Sequence, residues 1–241
     1  MEPVASFRVP FRVRFDEAGP DGCVPPSGLV RYLQDAAWQH SEAVGFGRDW
    51  YAARGIGWLA RGLDLVLTGC APYGETIEVE TELIGWRRVG ARRRSRIRDA
   101  RGAPVAESLV DWALVDEAGR PVRVPDEIVA LAPMAGPFQA TRIDLPAERP
   151  ADLRVPLPLR RRDADPMGHL NNAAYLDLLD ETLTRLDPPP PALTRIRLEH
   201  LRPALPGMRP AGAAWRLEDG GLAWRLEDEE SGSELARAIA G

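Results

Sequence analysis

"DADPMGHLNN", Asp163–Asn172, decides how this chain is read. Its ten residues hold two acids, a glycine, one of the chain's 3 histidines and an asparagine pair. Upstream, "DLRVPLPLRRRD" (Asp152–Asp163) reads as a strand with prolines near its edge. Downstream, "NAAYLDLLDETLTRL" (Asn172–Leu186) reads as a helix capped by Asn172 and stopped by "DPPPP". The stretch is therefore a polar turn that starts a helix. Strands are expected after it at Leu193–Arg202, Pro210–Asp219 and Gly221–Glu230, with a last one in "SELARAIAG".

The first half runs in the same order. "SFRVPFRVRF" (Ser6–Phe15) reads as a strand, and "EAGPDGCVPPSG" as a Gly/Pro-rich turn. Leu29, Val30, Leu33, Ala36, Ala37 and His40 then recur at helical spacing, with Ser27 as N-cap and Gly45 or Gly47 as the stop. Four strands are expected at Ile56–Gly69, Glu75–Trp86, Arg88–Asp99 and Pro104–Asp116. The two turns superpose without gaps: Gly19 falls on Asp165, Gly22 on Gly168, Cys23 on His169 and Leu29 on Tyr175. This predicts an α+β chain of two repeated domains, 1–123 and 152–241, joined by a Pro-rich linker over 124–151 with a short helix at Asp126–Ala130. One long helix buries its surface only if an antiparallel sheet wraps it. Two such units in one chain make a built-in dimer, so the expected state is a monomer of this kind or a homodimer.

Composition bounds the partners. The 241 residues are 44% hydrophobic and carry a net charge of -5, which argues against nucleic acid. All 31 basic residues are Arg, which points to GC-rich coding rather than to function. No signal-peptide core and no apolar run of membrane-span length occurs, so the chain is expected in the cytoplasm and off the membrane. Cys23 and Cys70 form neither a CxxC pair nor part of a ligand cluster. The expectation is therefore no disulfide framework, no metal site and no cofactor. A GxSxG elbow is absent, and "GFG" (Gly45–Gly47) lacks the context of a dinucleotide loop.

A strand–helix–four-strand unit with the turn "D-x-x-G-H-x-N-N-x-x-Y" resembles the hotdog-fold thioesterases, and "DADPMGHLNNAAYL" is similar to the 4-hydroxybenzoyl-CoA thioesterase-like motif. "LVRYLQDAAWQHSEAVGFG", "GIGWLARGLDLVL" and "GETIEVETELIGWRRVGARRRSRIRDARG", in that order, resemble the acyl-ACP thioesterase family of bacteria and plants. The resemblance covers the chain from about Phe7 to about Gly207. It implies two tandem hotdog domains pairing as a pseudo-dimer, and cleavage of fatty acyl thioesters carried on acyl carrier protein (ACP) or coenzyme A (CoA).

Such cleavage needs a base or nucleophile, a donor to the developing oxyanion and an apolar slot. Backbone amides at a helix start favour the ionised form of Asp165. The resemblance implies that Asp165 is the catalytic carboxylate, as base or as nucleophile, and that His169 assists it. Gly168 permits close backbone approach and offers an amide; Asn171 is first a cap residue and second a substrate contact. The family's plant members carry an Asn where this chain has Met167, and a Glu where it has Pro203. Gly19 and Cys23 replace Asp165 and His169 in the first turn, so one site per chain is expected, the first half supplying the acyl pocket. Trp38, Trp58 and Trp86 are candidate core or pocket residues. Arg92, Arg94 and Arg96 share one strand face, spaced roughly 6.6–6.8 Å apart, and form a stripe that is either a dock for an acidic carrier or pantetheine phosphates or a solvated strand face. Alternatives to acyl-ACP hydrolysis are an acyl-CoA thioesterase of the same fold and a non-hydrolytic acyl-binding protein.

Overall fold

The computed structural model describes residues 6–132, 135–145 and 150–241. The chain divides into two units, Met1–Ala140 and Thr141–Gly241.

Unit 1 is an antiparallel sheet with one long helix. Its strands are β1 (Ser6–Arg12), β2 (Ile56–Leu67), β3 (Thr76–Arg87), β4 (Gly90–Arg98) and β5 (Pro104–Asp116). They lie in the order β1-β3-β4-β5-β2, and the two-residue β6 (Gly136–Pro137) runs parallel to β3. Single-residue irregularities interrupt the pairing between Leu83 and Gly85 and between Ala60 and Gly62. Such bulges bend and twist a sheet locally. Helix α1 (Pro26–Ala43) packs on β1 and β3. The helical periodicity holds for Leu29, Val30, Leu33, Ala36 and His40, which are buried, while Ala37 is half-buried.

The helix start differs from the expectation. Pro25 is the N-cap and Pro26 opens the helix, where a missing N–H costs nothing, so Ser27 lies inside the first turn and is buried. The end is as expected: Val44 N donates to His40 O, and Gly45 follows at φ 93°. That left-handed conformation suits a residue without Cβ. A short helix α2 (Arg48–Ala52), which the sequence reading did not anticipate, places Tyr51 in a cluster with Leu114, Val124 and Ile128. The last of these sits on α3 (Asp126–Val129). Trp58 and Trp86 pack against this cluster, whereas Trp38 is 40% exposed.

The sequence reading expected no disulfide framework and did not foresee the bridge between Cys23 and Cys70. Cys23 and Cys70 are bonded across 47 residues. The loop before α1 and the loop after β2 meet through a Cys23–Pro72 bridge, and that contact brings the two thiols together.

Unit 2 repeats the plan in shorter form. β8 (Arg195–His200), β9 (Pro210–Arg216), β10 (Leu222–Asp228), β11 (Glu234–Ala240) and β7 (Leu153–Pro156) lie in the order β8-β11-β10-β9-β7, all antiparallel. Helix α4 (Ala174–Leu183) packs on β7 and β9. Trp224, Leu179, Ile196, Leu198, Leu226 and Leu235 are fully buried. Two expectations were too long. The strand ends at Pro156 rather than Asp163, because Pro156 and Pro158 donate no ladder hydrogen bond, and a 3-10 turn at Arg161–Asp163 follows. The helix starts at Ala174, and Asn172 does not cap it.

α4 meets β9 closely at one point. Thr182 Oγ1 donates to Leu178 O and accepts from Trp224 Nε1 at 3.0 Å, and Gly212 of β9 leaves the room for this contact.

Candidate active site

The turn of unit 2 is built by its own backbone. Asp165 N donates to His169 O at 2.7 Å, and Gly168 N to Asp165 O at 3.0 Å. Gly168 sits at φ 80°, the left-handed region that this tight turn demands. Asp165 Oδ1 accepts from Met167 N at 2.9 Å and from His169 N at 3.1 Å. Its other oxygen, Oδ2, has no hydrogen bond among the described residues. The carboxylate is thus held by one oxygen and open at the other.

Unit 1 has the same turn without the chemistry. Gly19 N donates to Cys23 O at 2.8 Å, and Gly22 N to Gly19 O at 2.9 Å. Gly22 sits at φ 79°, and Glu17 closes the preceding 3-10 turn onto Arg14 N as Asp163 closes its own onto Arg160 N. The ungapped superposition of the two halves therefore holds bond by bond. The position of Asp165 is a glycine, and that of His169 is a disulfide-bonded cysteine.

Neighbouring residues lock the turn to the sheet. Leu170 N donates to Ala204 O, and Ala204 N donates to Tyr175 Oη at 3.1 Å. Burial pushes the Tyr175 phenol up to about 12, and the charge of Asp165 adds to that rise, which places the carboxylate within electrostatic reach of the ring. His200 stands edge-on to Tyr175 at 4.7 Å. Glu199, on the opposite face of β8, is tied to Arg142 Nη1 at 2.5 Å and Ile143 N at 3.0 Å. The sequence reading placed these two on opposite faces; it did not see that Tyr175 joins His200 to the Asp165 turn. Pro203 lies in the loop between these anchors, and Met167 is 49% exposed at the turn's tip.

The remaining candidates are placed as follows. His169 keeps its backbone in the turn, and its Nδ1 is buried without a hydrogen-bond partner among the described residues. Asn171 Oδ1 accepts from Ala173 N at 2.9 Å, so Asn171 rather than Asn172 makes the side-chain bond at the helix start. The amide of Gly168, offered as a donor to substrate, is already used inside the turn.

Arg92, Arg94 and Arg96 lie in unit 1, on β4. They do share a face, but opposing carboxylates occupy it with them. Arg92 makes a two-pronged pair with buried Asp111, at 2.6 and 2.9 Å, and its guanidinium lies 4.6 Å from the Phe138 ring centre. Arg94 pairs with Glu82 at 2.6 Å, and Arg96 with Glu82 and Glu107 at 3.4 Å each. The stripe is a charge-matched ladder, and any acidic partner must compete with these carboxylates. The signal was in the sequence, since Glu78, Glu80 and Glu82 alternate on β3 as the arginines do on β4. Among the described residues no three His, Cys, Asp or Glu side chains are arranged to hold a metal ion, and no helix is long and apolar enough to cross a membrane.

An antiparallel sheet against one long helix, twice in the chain and with a single Asp–His turn, defines a tandem hotdog α+β protein. Comparison with known proteins narrows this class. The acyl-ACP thioesterase N-terminal domain family matches residues 5–132, more than half of the chain, and the chain belongs to the acyl-ACP thioesterase family. The oleoyl-acyl carrier protein thioesterase 1 of Arabidopsis thaliana is 23% identical over 203 residues, covering 74% of this chain and 55% of that protein. The chain thus spans about half the length of the curated relatives it matches. Among solved structures, the 12:0-ACP thioesterase of Umbellularia californica superposes with a TM-score of 0.81 at 22% identity, covering 98% of this chain and 96% of that one. An acyl-ACP thioesterase of Bacteroides thetaiotaomicron superposes with a TM-score of 0.79 at 17% identity, covering 98% and 97%. At these identities the two structures establish the fold.

Proposed function

We propose that this protein hydrolyses fatty acyl-ACP to free fatty acid and holo-ACP, with Asp165 as the reacting carboxylate. The observation that carries the reading is the state of Asp165. One oxygen is pinned by two backbone amides, and the other is open. An oxygen left open on a carboxylate held in place by the turn is what a general base or nucleophile needs. Acting as base, Asp165 Oδ2 takes a proton from water as that water attacks the thioester carbonyl, and the thiol leaves with the proton returned. His169 lines the same turn and assists by orienting the water or polarising the carbonyl. The side-chain nitrogen of Asn171 has no hydrogen bond among the described residues and serves as a substrate contact; Gly168 contributes by shaping the turn. Unit 1 is proposed to hold the acyl chain, with domain limits of 1–123 and 152–241 and a linker over 124–151. The protein is proposed to act as a monomer or homodimer in the cytoplasm.

Two alternatives rest on specific observations. With Arg92, Arg94 and Arg96 each paired to carboxylates, the stripe holds no surplus charge that selects an acidic carrier protein over CoA, which keeps acyl-CoA as the first alternative. Met167 and Pro203, where plant members carry Asn and Glu, favour acyl binding without hydrolysis. Thiol release measured over a chain-length panel of acyl-ACP and acyl-CoA separates the three. Higher kcat/KM on acyl-ACP supports the proposal. Equal or better turnover of acyl-CoA overturns the carrier assignment, and saturable binding with no thiol released overturns hydrolysis.

A further inference from the structure

Two loops of unit 2 build the Asp165 turn. Residues 160–171 lead to α4, residues 201–208 join β8 to β9, and Leu170 N donates to Ala204 O at 2.9 Å between them. Unit 1 has the same pair. Residues 14–25 lead to α1, residues 68–75 join β2 to β3, and Val24 N donates to Ala71 O at 3.0 Å. Gly207 and Gly74 match as well, at φ 93° and 84°. The charges do not match. In unit 2 the loops hold Arg160, Arg161, Arg162 and Arg202 against Asp163 and Asp165, a net charge of +2. In unit 1 they hold Arg14 against Asp16, Glu17, Asp21 and Glu75, a net charge of -3. One backbone plan carries opposite charge in its two copies, so folding these loops does not require the arginines. Coding bias does not supply them either, since both copies lie in one chain.

Arg160, Arg161, Arg162 and Arg202 are all exposed. Arg160 is 3.9 Å from Asp163, and Arg202 donates to Ser233 Oγ at 3.0 Å. Among the described residues, neither Arg161 nor Arg162 has an ion pair or a side-chain hydrogen bond. The β4 stripe is the opposite case, each of its arginines having an acid. Two exposed apolar side chains, Met167 and Leu205, stand on the same two loops. A phosphate cradle gathers free backbone amides, and here the amides of Asp165, Met167, Gly168 and His169 are engaged inside the turn. Exposed Arg and Met around apolar spots is instead the composition of a protein–protein interface.

We propose that these two loops of unit 2 dock an acidic carrier protein, with Arg161 and Arg162 as its main contacts. The inference rests on acyl-ACP as the substrate and assigns the surface that receives the carrier. Charge complementarity of this kind speeds encounter and is screened by salt. The test titrates the full chain by calorimetry with an apo acyl carrier protein, which has no pantetheine arm and no thioester. Saturable binding is expected, about tenfold weaker in roughly 200 mM than in roughly 50 mM salt. Arg161→Glu with Arg162→Glu is expected to weaken it about tenfold at the lower salt, with the corresponding Gln pair between, and to melt with the parent. Should the Glu pair fail to fold, Arg202→Glu takes its place, expected to weaken the carrier roughly threefold. CoA, which has phosphates but no protein surface, is expected not to displace the carrier. Failure of the parent to bind the apo carrier overturns the proposal. So does an affinity unchanged in the Glu pair or, in its place, in Arg202→Glu, and so does displacement by CoA. A parent that binds the apo carrier in this pattern yet releases no thiol from acyl-ACP supports the docking surface and overturns hydrolysis alone.

Discussion

Replacing Asp165 by Asn and, separately, by Ala divides the charge of the carboxylate from its work in the turn. Oδ1 accepts two backbone amides, at 2.9 and 3.1 Å, and an Asn side chain offers an acceptor at the same place. Losing charge assistance alone costs about 1 kcal/mol of stability, while Ala leaves both amides without that acceptor and costs roughly 2–3 kcal/mol. Activity should fall differently. A missing base removes about 10²–10⁴ in rate, about 3–5 kcal/mol of barrier, and does so equally in both variants. Urea denaturation supplies the first comparison and thiol release at saturating acyl-ACP the second. The expected pattern is a stability order of parent, Asn, Ala, with both variants equally inactive. Asp165→Asn retaining activity within about threefold of the parent would refute the assignment of the base. Asp165→Ala as stable as Asp165→Asn would refute the account of the turn.

Four further outcomes test the fold and its charges. Cys23→Ser with Cys70→Ser opens a loop closed across 47 residues, for which chain entropy alone gives about 4 kcal/mol, so a drop of roughly 2–4 kcal/mol in urea melts is expected, matched by reductant on the parent. Gly212→Ala drives a methyl into Thr182 Oγ1 and within 2.9 Å of Leu157 Cδ1 and Trp224 Nε1; it should cost about 1–3 kcal/mol, read as a lower Tm. Arg94→Glu with Arg96→Glu sets like charges beside Glu80, Glu82 and Glu107 and should cost about 1 kcal/mol; if the stripe also docks the carrier, KM rises for acyl-ACP and not for acyl-CoA. The Tyr175 phenol is raised in the folded state, so its contribution is complete below pH 10 and is lost as pH climbs through about 12. Alkaline unfolding should therefore be less steep in Tyr175→Phe.

The repeated plan was legible because both turns carry it in glycines and short polar side chains. Gly22 and Gly168 hold matching left-handed positions, and the superposition they anchor fixed the order of helix and strands in both halves. Strands β2 and β5 followed from alternating apolar residues between turn signals. Element ends were less legible. Pro156 ended a strand that the pattern continued, and of the two asparagines read as caps it is Asn171 that makes the side-chain bond, because one hydrogen bond decides between adjacent residues. Long-range pairs were hidden for a different reason. Cys23 and Cys70 meet only once two loops close over α1 and β2, and the partners of Arg92 and Arg94 appear only once strand register is set. At the candidate site, Asp165, His169 and Asn171 could be named from one motif. The Tyr175–His200 contact could not, since it joins α4 to β8, two elements that meet only in the folded unit.

The most direct test of hydrolysis at Asp165 is intact-mass analysis of an acyl-ACP incubated with the protein in ¹⁸O-labelled water. The account predicts conversion to holo-ACP with one labelled oxygen in the released fatty acid, and no conversion with Asp165→Asn. Acyl-ACP that remains intact with the parent protein, or is cleaved as fast by Asp165→Asn, would contradict it.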